Sequence, residues 1–317
     1  MNTIYFLFQQ TMCFFIPLLV VALAGLFSER SGIVNIALEG MMIMGAFSGI
    51  LIISVAGDTM SGQGLLLLAL LAAGISGLLL SLPLAYSSIS HNANQIIAGT
   101  ALNLFAPAFA IFMARMIYGV QQISFINSFH IREVPFLGKI PFFGPLLFQN
   151  TYLTTYLGLL IFLLSWGLLY RTKFGLRLRA CGEHPQAAAS VGVNIYRIRY
   201  AGVLLSGFLA GIGGLIFVVP TSTSYNASVS GYGFLALAVL IFGQWRPDRI
   251  FFAALFFGVA MMLSSAYSGI PILRTLPVSN NIYKMAPYIV TLIALAFASK
   301  SSRAPKALGQ PYSTGRR

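Results

Sequence analysis

The sequence predicts an all-α, polytopic membrane protein, and three observations support this fold class. Of its 317 residues, 58% are apolar and only 8% are charged, and the mean hydropathy is +0.85. A soluble domain of this length would carry about a quarter charged residues. The apolar residues also occur in long unbroken runs, and a helical run of about 20 residues spans the roughly 30 Å hydrocarbon core of a bilayer. We therefore predict a bundle of membrane-spanning helices.

Apolar runs bounded by Gly, Pro, Asn or charged residues predict about nine spans in one transmembrane domain over residues 1–300. A count of eight or ten stays open, because the loop at 87–93 has no basic residue to mark its side of the membrane. The candidate spans are 4–27, 33–56, 64–86, 94–118, 151–170, 200–220, 232–245, 250–268 and 285–299.

Basic residues collect in three segments, and their positions predict the orientation of the chain. The loop at 171–199, the turn at 246–249 and the tail at 301–317 hold most of the Lys and Arg residues near the predicted spans. Such segments favour the cytoplasmic side, and each is separated from the next by an even number of spans. We expect a multi-pass protein of the inner, or cytoplasmic, membrane, with its N-terminus outside and its C-terminus inside. The same bias accounts for the net charge of +13, so we expect the chain to lie in a lipid bilayer and to bind no nucleic acid.

Glycine spacing predicts where the helices touch. Two Gly-x-x-x-Gly pairs, at Gly45 and Gly49 and at Gly207 and Gly211, allow close approach of helix backbones in a membrane. The segments 31–45 and 230–243 also look alike and would enter the membrane from opposite faces. This likeness suggests an inverted repeat with the transport pathway at its interface.

The first polar stretch, residues 28–40, lies where the first predicted span ends and the second begins. Glu29 and Arg30 can reach opposite neighbours and are predicted to form a gate or a structural clamp. Asn35 and Glu39 follow, and polar side chains inside a membrane usually face a cavity or a partner. Glu39 lies about seven residues, or about 10 Å, past the interface. It either lines the pathway or fixes its helix through buried hydrogen bonds.

The second polar stretch, residues 91–103, opens the fourth predicted span. Asn92 or Asn94 is a natural N-cap, and Gln95 and Asn103, eight residues apart, fall on nearly one helix face. Such a polar stripe offers hydrogen bonds to a neutral hydroxylated solute. The alternative is amide hydrogen bonding between helices. Asn94, Gln95 and Asn103 are therefore candidate pathway residues.

The third polar stretch, residues 181–194, lies in the most basic loop and predicts a short helix. Pro185 suits the first helical turn, the alanines favour helix, and Gly192 suits a left-handed stop. A free helix of about two turns is marginal in water, so it must pack on something. Its small side chains would let a partner protein come close. The candidate residues for that contact are Glu183, His184, Gln186, Ala187, Ala188 and Gly192.

The first and third polar stretches resemble the sequences of a known family. The pattern Gln186-Ala187-Ala188-x-x-x-Gly192 resembles the EAA loop of ABC-importer permeases, with Gln186 in place of the usual Glu. The strings FSERSGIVNIALEGMMIMGAF and GEHPQAAASVGVN resemble the permeases for simple sugars and nucleosides, within the group that includes ribose and branched-chain amino acid permeases. The similarity extends from about Gly25 to Lys300.

The resemblance implies a permease subunit with several partners. These are a second permease, as a heterodimer or a homodimer, two cytoplasmic ATPases docked on the EAA-like helices, and an external solute-binding protein or lipoprotein. It ranks a nucleoside first as the solute and a pentose or hexose second. Gln186 leaves the docking helix in place but lacks the carboxylate that a salt bridge from that position would use.

The absence of catalytic motifs agrees with a transport role. No Gly-x-x-x-x-Gly-Lys-[Ser/Thr] loop occurs in the sequence, so we expect the chain to bind no ATP or other cofactor and a partner to hydrolyse the ATP. His91, His130 and His184 are scattered without neighbouring metal ligands. The chain is thus expected not to be an enzyme. An ion-coupled secondary carrier is the alternative, and Glu39 is its one clear candidate for an embedded ionisable group.

Overall fold

A computed structural model describes residues 2–57, 59–125, 129–134, 138, 144–266, 285, 289, 292 and 304–312. Over these ranges most of the chain is helical. The helices with described bounds are α1 Asn2–Arg30, α2 Leu38–Ala56, α3 Gln63–Ala85, α4 Gln95–Tyr118, α5 Leu153–Arg171, α6 Lys173–Glu183, α7 Pro185–Ser190, α8 Ile195–Thr221, α9 Tyr232–Phe242 and α10 Pro247–Ala266.

Seven helices of the described part are long and apolar enough to cross a membrane, which confirms the all-α, polytopic class. They are α1, α2, α3 with the π-helical turn Tyr86–Ser90, α4, α5, α8 and α10. The span predicted at 232–245 is instead the 11-residue helix α9, about 16 Å long, which is shorter than a bilayer core. The span predicted at 285–299 lies, apart from three single positions, outside the described residues. The count of nine therefore stays a prediction.

Backbone geometry explains where the helices depart from the predicted spans. The second span was expected from residue 33, but helix α2 begins only at Leu38, because the chain turns at Gly32 with φ +96° and residues 33–37 are not helical. Helix α9 is short because left-handed residues bound it, with Ser230 at φ 55° before it and Gln244 and Trp245 at 50° and 52° after it. Hydropathy does not detect such turns, so the apolar runs at 33–56 and 232–245 were each predicted as one continuous span.

Helices α1, α2, α3 and α8 form the centre of the bundle, whereas α4 and α5 lie at its edge. The apolar windows of α1 and α8 are 89% and 78% buried, compared with 17% for α4 and 22% for α5. The two predicted glycine pairs contact each other, because a Cβ atom on Gly45 would collide with the backbone of Gly211. Gly77 and Gly207 make a second such contact between α3 and α8. Close backbone packing therefore holds α8 against both α2 and α3.

Two small antiparallel sheets lie at the end of the bundle where α2 ends and α3 begins. Strand β1 (Ile123–Ser124) pairs with β4 (Ser224–Tyr225), and β2 (His130–Glu133) pairs with β3 (Gln149–Tyr152). The Tyr225 hydroxyl donates a 2.7 Å hydrogen bond to the Ile43 carbonyl oxygen, so the first sheet is anchored on the buried face of α2.

The opposite end of the bundle carries helices α6 and α7 together with a segment of the predicted tail. We call residues 304–312 the strap. The tail was predicted as a separate basic segment, but its described part is docked: Pro305 and Ala307 are buried, and Leu308 packs against the core. This basic end also contains a small hydrophobic cluster of its own, formed by Cys181, Ala188 and Ile195 with Tyr312 of the strap packed against it.

Candidate pathway and coupling sites

The non-helical segment between α1 and α2 is buried, and amide side chains from α4 hold its backbone. Gln95 Oε1 accepts a hydrogen bond from the Val34 N–H at 2.7 Å. Asn103 Oδ1 accepts from the Gly40 N–H at 2.8 Å, while its Nδ2 donates to the Ile36 carbonyl oxygen at 2.8 Å. Within a membrane every backbone polar group needs such a partner. The arrangement matches the alternative of amide bonding between helices, and a role of these amides in binding solute stays a prediction.

Asn35 ties the same segment to the centre of the bundle. Its Nδ2 donates to Ser206 Oγ of α8 at 2.8 Å, and its Oδ1 accepts from the Ala37 N–H at 3.1 Å. Asn94 does not join this group. It is the N-cap of α4, accepting from the backbone N–H groups of Ile96 and Ile97 on the exposed surface.

Glu39 lies between the first turns of two helices. Its Oε1 accepts a hydrogen bond from the Gly231 N–H at 2.9 Å, and its Oε2 accepts from the Gly233 N–H at 2.6 Å. Both donors belong to the start of α9, while Glu39 itself lies in the first turn of α2. Free N–H groups and the helix dipole favour negative charge at such termini. A glycine suits position 233, because a Cβ atom on Gly233 would collide with Glu39.

Glu29 and Arg30, at the end of α1, form hydrogen bonds with Trp245 in the turn between α9 and α10. The Trp245 indole N–H donates to Glu29 Oε2, and Arg30 Nε and Nη2 donate to the Trp245 carbonyl oxygen at 3.0 and 2.7 Å. Arg30 also forms an ion pair with Glu183 of α6 at 3.5 Å. The two adjacent side chains thus reach different neighbours, as expected for a clamp. The gating role stays a prediction.

The short helix predicted in the basic loop is α7. Pro185 occupies its first position, and Gly192 follows it with φ +83°, as the sequence pattern indicated. Its outer face carries exposed side chains, and Val191 just after it is 78% exposed. The exposed candidate coupling residues are His184, Gln186, Ala187 and Gly192.

Two candidate coupling residues do not lie on that outer face. Ala188 is only 5% exposed and packs inward on Cys181 and Ile195, so its side chain seats α7 on the permease. Glu183 is partly buried at the end of α6, where it pairs with Arg30. A contact of either side chain with a partner stays a prediction, but both hold α6 and α7 in place.

Sequence reasoning missed three participants: Trp245, Ser206 and Arg199. Trp245 is one of only two tryptophans, and an indole N–H donor beside a basic turn would have been a usable signal. Arg199 was counted only as a loop charge, but it is 2% exposed and donates through Nη1 to the Gln310 carbonyl oxygen at 3.2 Å. Among the described residues, no three His, Cys, Asp or Glu side chains cluster closely enough to hold a metal ion.

Comparison with known proteins identifies the family. The model of a family described as "Branched-chain amino acid transport system / permease component" matches residues 7–295. The chain belongs to this permease family. The match covers most of the chain, including the polar segments around Glu39 and α7, and it confirms the resemblance that their sequences suggested.

Three curated relatives of this permease align over nearly their whole length. The guanosine ABC transporter permease protein NupQ of Bacillus subtilis is 42% identical over 97% of this chain and 96% of its own. The nucleoside ABC transporter permease protein NupC of Lactococcus lactis is 38% identical over 98% of both chains. The putative glucose ABC transporter permease protein TsgC13 of Haloferax volcanii is 32% identical over 93% of both. With its apolar helices, this permease is a multi-pass membrane protein.

Proposed function

We propose that this permease is the membrane-spanning subunit of an ATP-driven importer and that its solute is a nucleoside. The observation that carries the proposal is its similarity, over nearly the full chain, to two proteins named as guanosine and nucleoside permeases. The relative named for glucose is less similar, at 32% identity, so a simple sugar ranks second.

In this proposal a separate ATPase subunit hydrolyses ATP and docks on α7 from the cytoplasm. The sequence contains no phosphate-binding loop of its own, so the energy must come from a partner. A second permease chain, most simply a related one in a heterodimer, completes the pathway, and an external solute-binding protein or lipoprotein delivers the nucleoside. The basic residues at 171–199 favour a cytoplasmic α7, which puts the N-terminus outside and the C-terminus inside.

The contacts around Arg30 supply a physical connection from α7 to the membrane interior. Helix α6, which leads into α7, is paired with Arg30 through Glu183, and Arg30 is bonded to Trp245 at the end of α9. The other end of α9 binds Glu39 of α2. A displacement of α6 would therefore reach the interface of α2 and α9 through one rigid helix of about 16 Å. Alternating access would follow if that interface has two arrangements.

The same contacts argue against an ion-coupled carrier. Such a carrier needs a carboxylate that binds and releases its coupling ion within the membrane. Among the described residues, the acidic side chains buried in the spans are Glu29 and Glu39. Each already accepts hydrogen bonds that fix a helix end, Glu29 from Trp245 and Glu39 from the start of α9. Releasing either one would break the contact that it makes.

Uptake by proteoliposomes tests the proposal. The permease is reconstituted with the ATPase, the second permease and the binding protein of its transporter, and labelled guanosine, uridine and glucose are supplied with or without internal ATP. We expect nucleoside uptake that requires ATP and the ATPase. Uptake of glucose alone would favour the sugar alternative. Nucleoside uptake driven by a proton or sodium gradient without ATP would overturn the proposal.

A variant on α7 tests the coupling role separately. Ala187 is exposed, so Ala187→Lys leaves the permease core intact while obstructing a closely fitting partner. We expect ATPase docking and uptake to be lost with normal insertion of the permease. Gln121→Lys is the surface control, since Gln121 is exposed beside strand β1 at the opposite end of the bundle, and it should bind the ATPase normally. Normal uptake by Ala187→Lys would contradict docking on α7.

A further inference from the structure

The strap is held on the basic end of the bundle by contacts with three separate elements. Its backbone bonds to the end of α6, to the segment after α1 and to the start of α8. The four hydrogen bonds join Ala307 N–H to the Gly182 oxygen at 2.8 Å, Gly309 N–H to the Gly32 oxygen at 3.0 Å, Arg199 Nη1 to the Gln310 oxygen at 3.2 Å and Tyr196 hydroxyl to the Tyr312 oxygen at 3.4 Å. The strap is thus a structural part of this end.

Close side-chain contacts fix the position of the strap on the bundle. Arg199 is almost fully buried beneath it, and a Cβ atom on Gly32 would lie 2.9 Å from Arg199 Nη2 and 3.3 Å from the Ala307 oxygen. The ring of Tyr312 packs edge-on against that of Tyr196 with centroids 5.7 Å apart. The glycine, the buried guanidinium and the tyrosine pair together define where residues 304–312 lie.

A polar cavity of about 220 Å³ separates the strap from the start of α7. Pockets that bind free small molecules usually measure about 300–1,000 Å³, so this cavity is sized for part of a molecule, such as one side chain. Because it opens beside the exposed face of α7, a protein that contacts α7 would meet it directly. The residues that give the cavity its polar character are Glu183, His184, Gln186, Lys306, Gln310 and Tyr312.

The charges around the cavity favour an acidic occupant. Lys306 is exposed, and no carboxylate of the described residues lies within ion-pair distance of it. The one acidic residue of the lining, Glu183, is already paired with Arg30 at 3.5 Å, and Gln186 is neutral. Exposed Arg177 and Arg197 lie on the helices that flank α7. Electrostatic complementarity therefore favours negative charge on a partner that binds this surface.

We infer that the strap and α7 form one docking surface for the ATPase subunit and that the cavity receives an acidic side chain of that subunit, bound by Lys306. This inference rests on the proposed function, because it assumes that an ATPase docks on α7. It adds a second element to the interface and states its charge. It also supplies the charged contact that Gln186, in place of a glutamate, does not make.

Docking on the strap would act directly on the segment between α1 and α2. Gly309 of the strap is bonded to Gly32, the residue at which the chain turns out of α1. Gly182, at the end of α6, is bonded to Ala307 only two residues earlier in the strap. A force applied to the strap therefore reaches both α6 and the segment that leads into α2.

Charge reversal tests the inference in the full-length permease. We measure the binding of the purified ATPase subunit of the same transporter to the detergent-solubilised permease at several salt concentrations. Lys306→Glu should weaken binding by at least about 10-fold and reduce its salt dependence. Lys173→Glu is the matched control, since Lys173 is exposed at the far end of α6, about 15 Å from Glu183. It should bind with unchanged affinity.

A photo-crosslinking amino acid placed at Gln310 or at Ala187 distinguishes docking on the strap from docking on α7 alone. We expect both positions to crosslink to the ATPase subunit. Crosslinking from Ala187 without Gln310, or unchanged binding by Lys306→Glu, would overturn the strap inference and leave docking on α7 intact. Failure of the ATPase to bind the unmodified permease, with no crosslink from either position, would overturn the proposed function and the inference together.

Discussion

Glu39 and Gly233 lie 194 positions apart in the sequence, and a 2.6 Å hydrogen bond from the Gly233 N–H to the Glu39 carboxylate joins them. This bond brings the first turns of α2 and α9 together inside the bundle. The carboxylate is stabilised by the Gly231 and Gly233 N–H groups at the start of α9. The contact therefore fixes the start of α9 against the start of α2.

Replacing Glu39 tests the importance of this contact. Glu39→Gln keeps the shape of the side chain but turns an amide NH2 group toward one of the two backbone N–H donors. Hydrogen bonds to charged groups contribute about 1.5–3 kcal/mol, so we expect a loss of that order in the free energy of unfolding. We expect nucleoside uptake to fall at least about tenfold, because α2 and α9 lose their common anchor.

Thermal unfolding in detergent and uptake by proteoliposomes measure the two effects. Glu133→Gln is the control, since Glu133 is an exposed acidic residue in strand β2. It should leave both quantities unchanged. Wild-type stability of Glu39→Gln would show that the carboxylate charge is not needed at the junction of α2 and α9.

Glycine packing predicts opposite results for one substitution at two sites. Gly45→Ala places a methyl group against the Gly211 backbone, and overpacking of this kind costs about 1–3 kcal/mol. Gly167→Ala in α5 meets no atom within 4 Å and should gain up to about 1 kcal/mol from better helix propensity. The unfolding midpoints of the two purified variants should move in opposite directions. Equal shifts would contradict close contact between α2 and α8.

The bond from Trp245 to Glu29 predicts coupling between these two residues. Trp245→Phe removes the indole N–H and leaves the buried Glu29 carboxylate without that donor, which we expect to cost about 1–3 kcal/mol of stability. In a Glu29→Gln background the same change should cost less, since no charge is left unpaired. The double-mutant cycle should give a coupling of at least about 0.5 kcal/mol.

Trp166→Phe is the control for that cycle. Trp166 is an exposed tryptophan of α5 and should lose little stability in either background. Additive losses for Trp245→Phe and Glu29→Gln would mean that the hydrogen bond does not hold the turn between α9 and α10.

Burial raises the pKa of the Cys181 thiol from its ordinary value near 9.0 to about 11. At pH 8 the thiolate fraction then falls about 100-fold, so we expect slow alkylation by N-ethylmaleimide in a Cys13→Ala background. The folded state holds the proton more tightly than the unfolded state. This stabilisation is therefore complete below about pH 9 and is lost as the pH rises through about 11.

An exposed thiol at the same end of the molecule provides the comparison. Ala187→Cys, in a chain lacking both native cysteines, should react at the rate of an ordinary exposed thiol. Alkylation of Cys181 at that same rate would show that α6 and α7 do not bury it.

The sequence predicted the membrane class, most span positions and the polar residues Glu39, Asn35, Gln95 and Asn103. It did so because polar side chains in long apolar runs are conspicuous. It did not reveal their partners, since these are mostly backbone groups such as the Gly231 and Gly233 N–H, which any sequence could supply. The short length of α9 was hidden for a similar reason. Left-handed residues end it, and hydropathy records only that the run is apolar.

The docking of the strap was also beyond sequence reasoning. The basic residues of 301–317 indicated a cytoplasmic tail but gave no sign of the contacts of the strap, which are backbone hydrogen bonds to Gly182 and Gly32 and a bond from the buried Arg199. Nothing in the sequence distinguishes Arg199, which is buried, from the exposed arginines of the same loop. For Ala188 the small side chain suggested a contact with a partner, which stays a prediction, and the sequence did not show that this side chain packs inward on Cys181 and Ile195.

The position of the strap has a consequence for biosynthesis. Gly182 and the strap residue Ala307 are 125 positions apart, so a ribosome adding about 5–20 residues per second needs roughly 6–25 s to make the second after the first. During that interval α7 can form before the strap that packs beside it has been made. Chains that stall or are cut before residue 304 would therefore carry α7 without the segment that packs beside it.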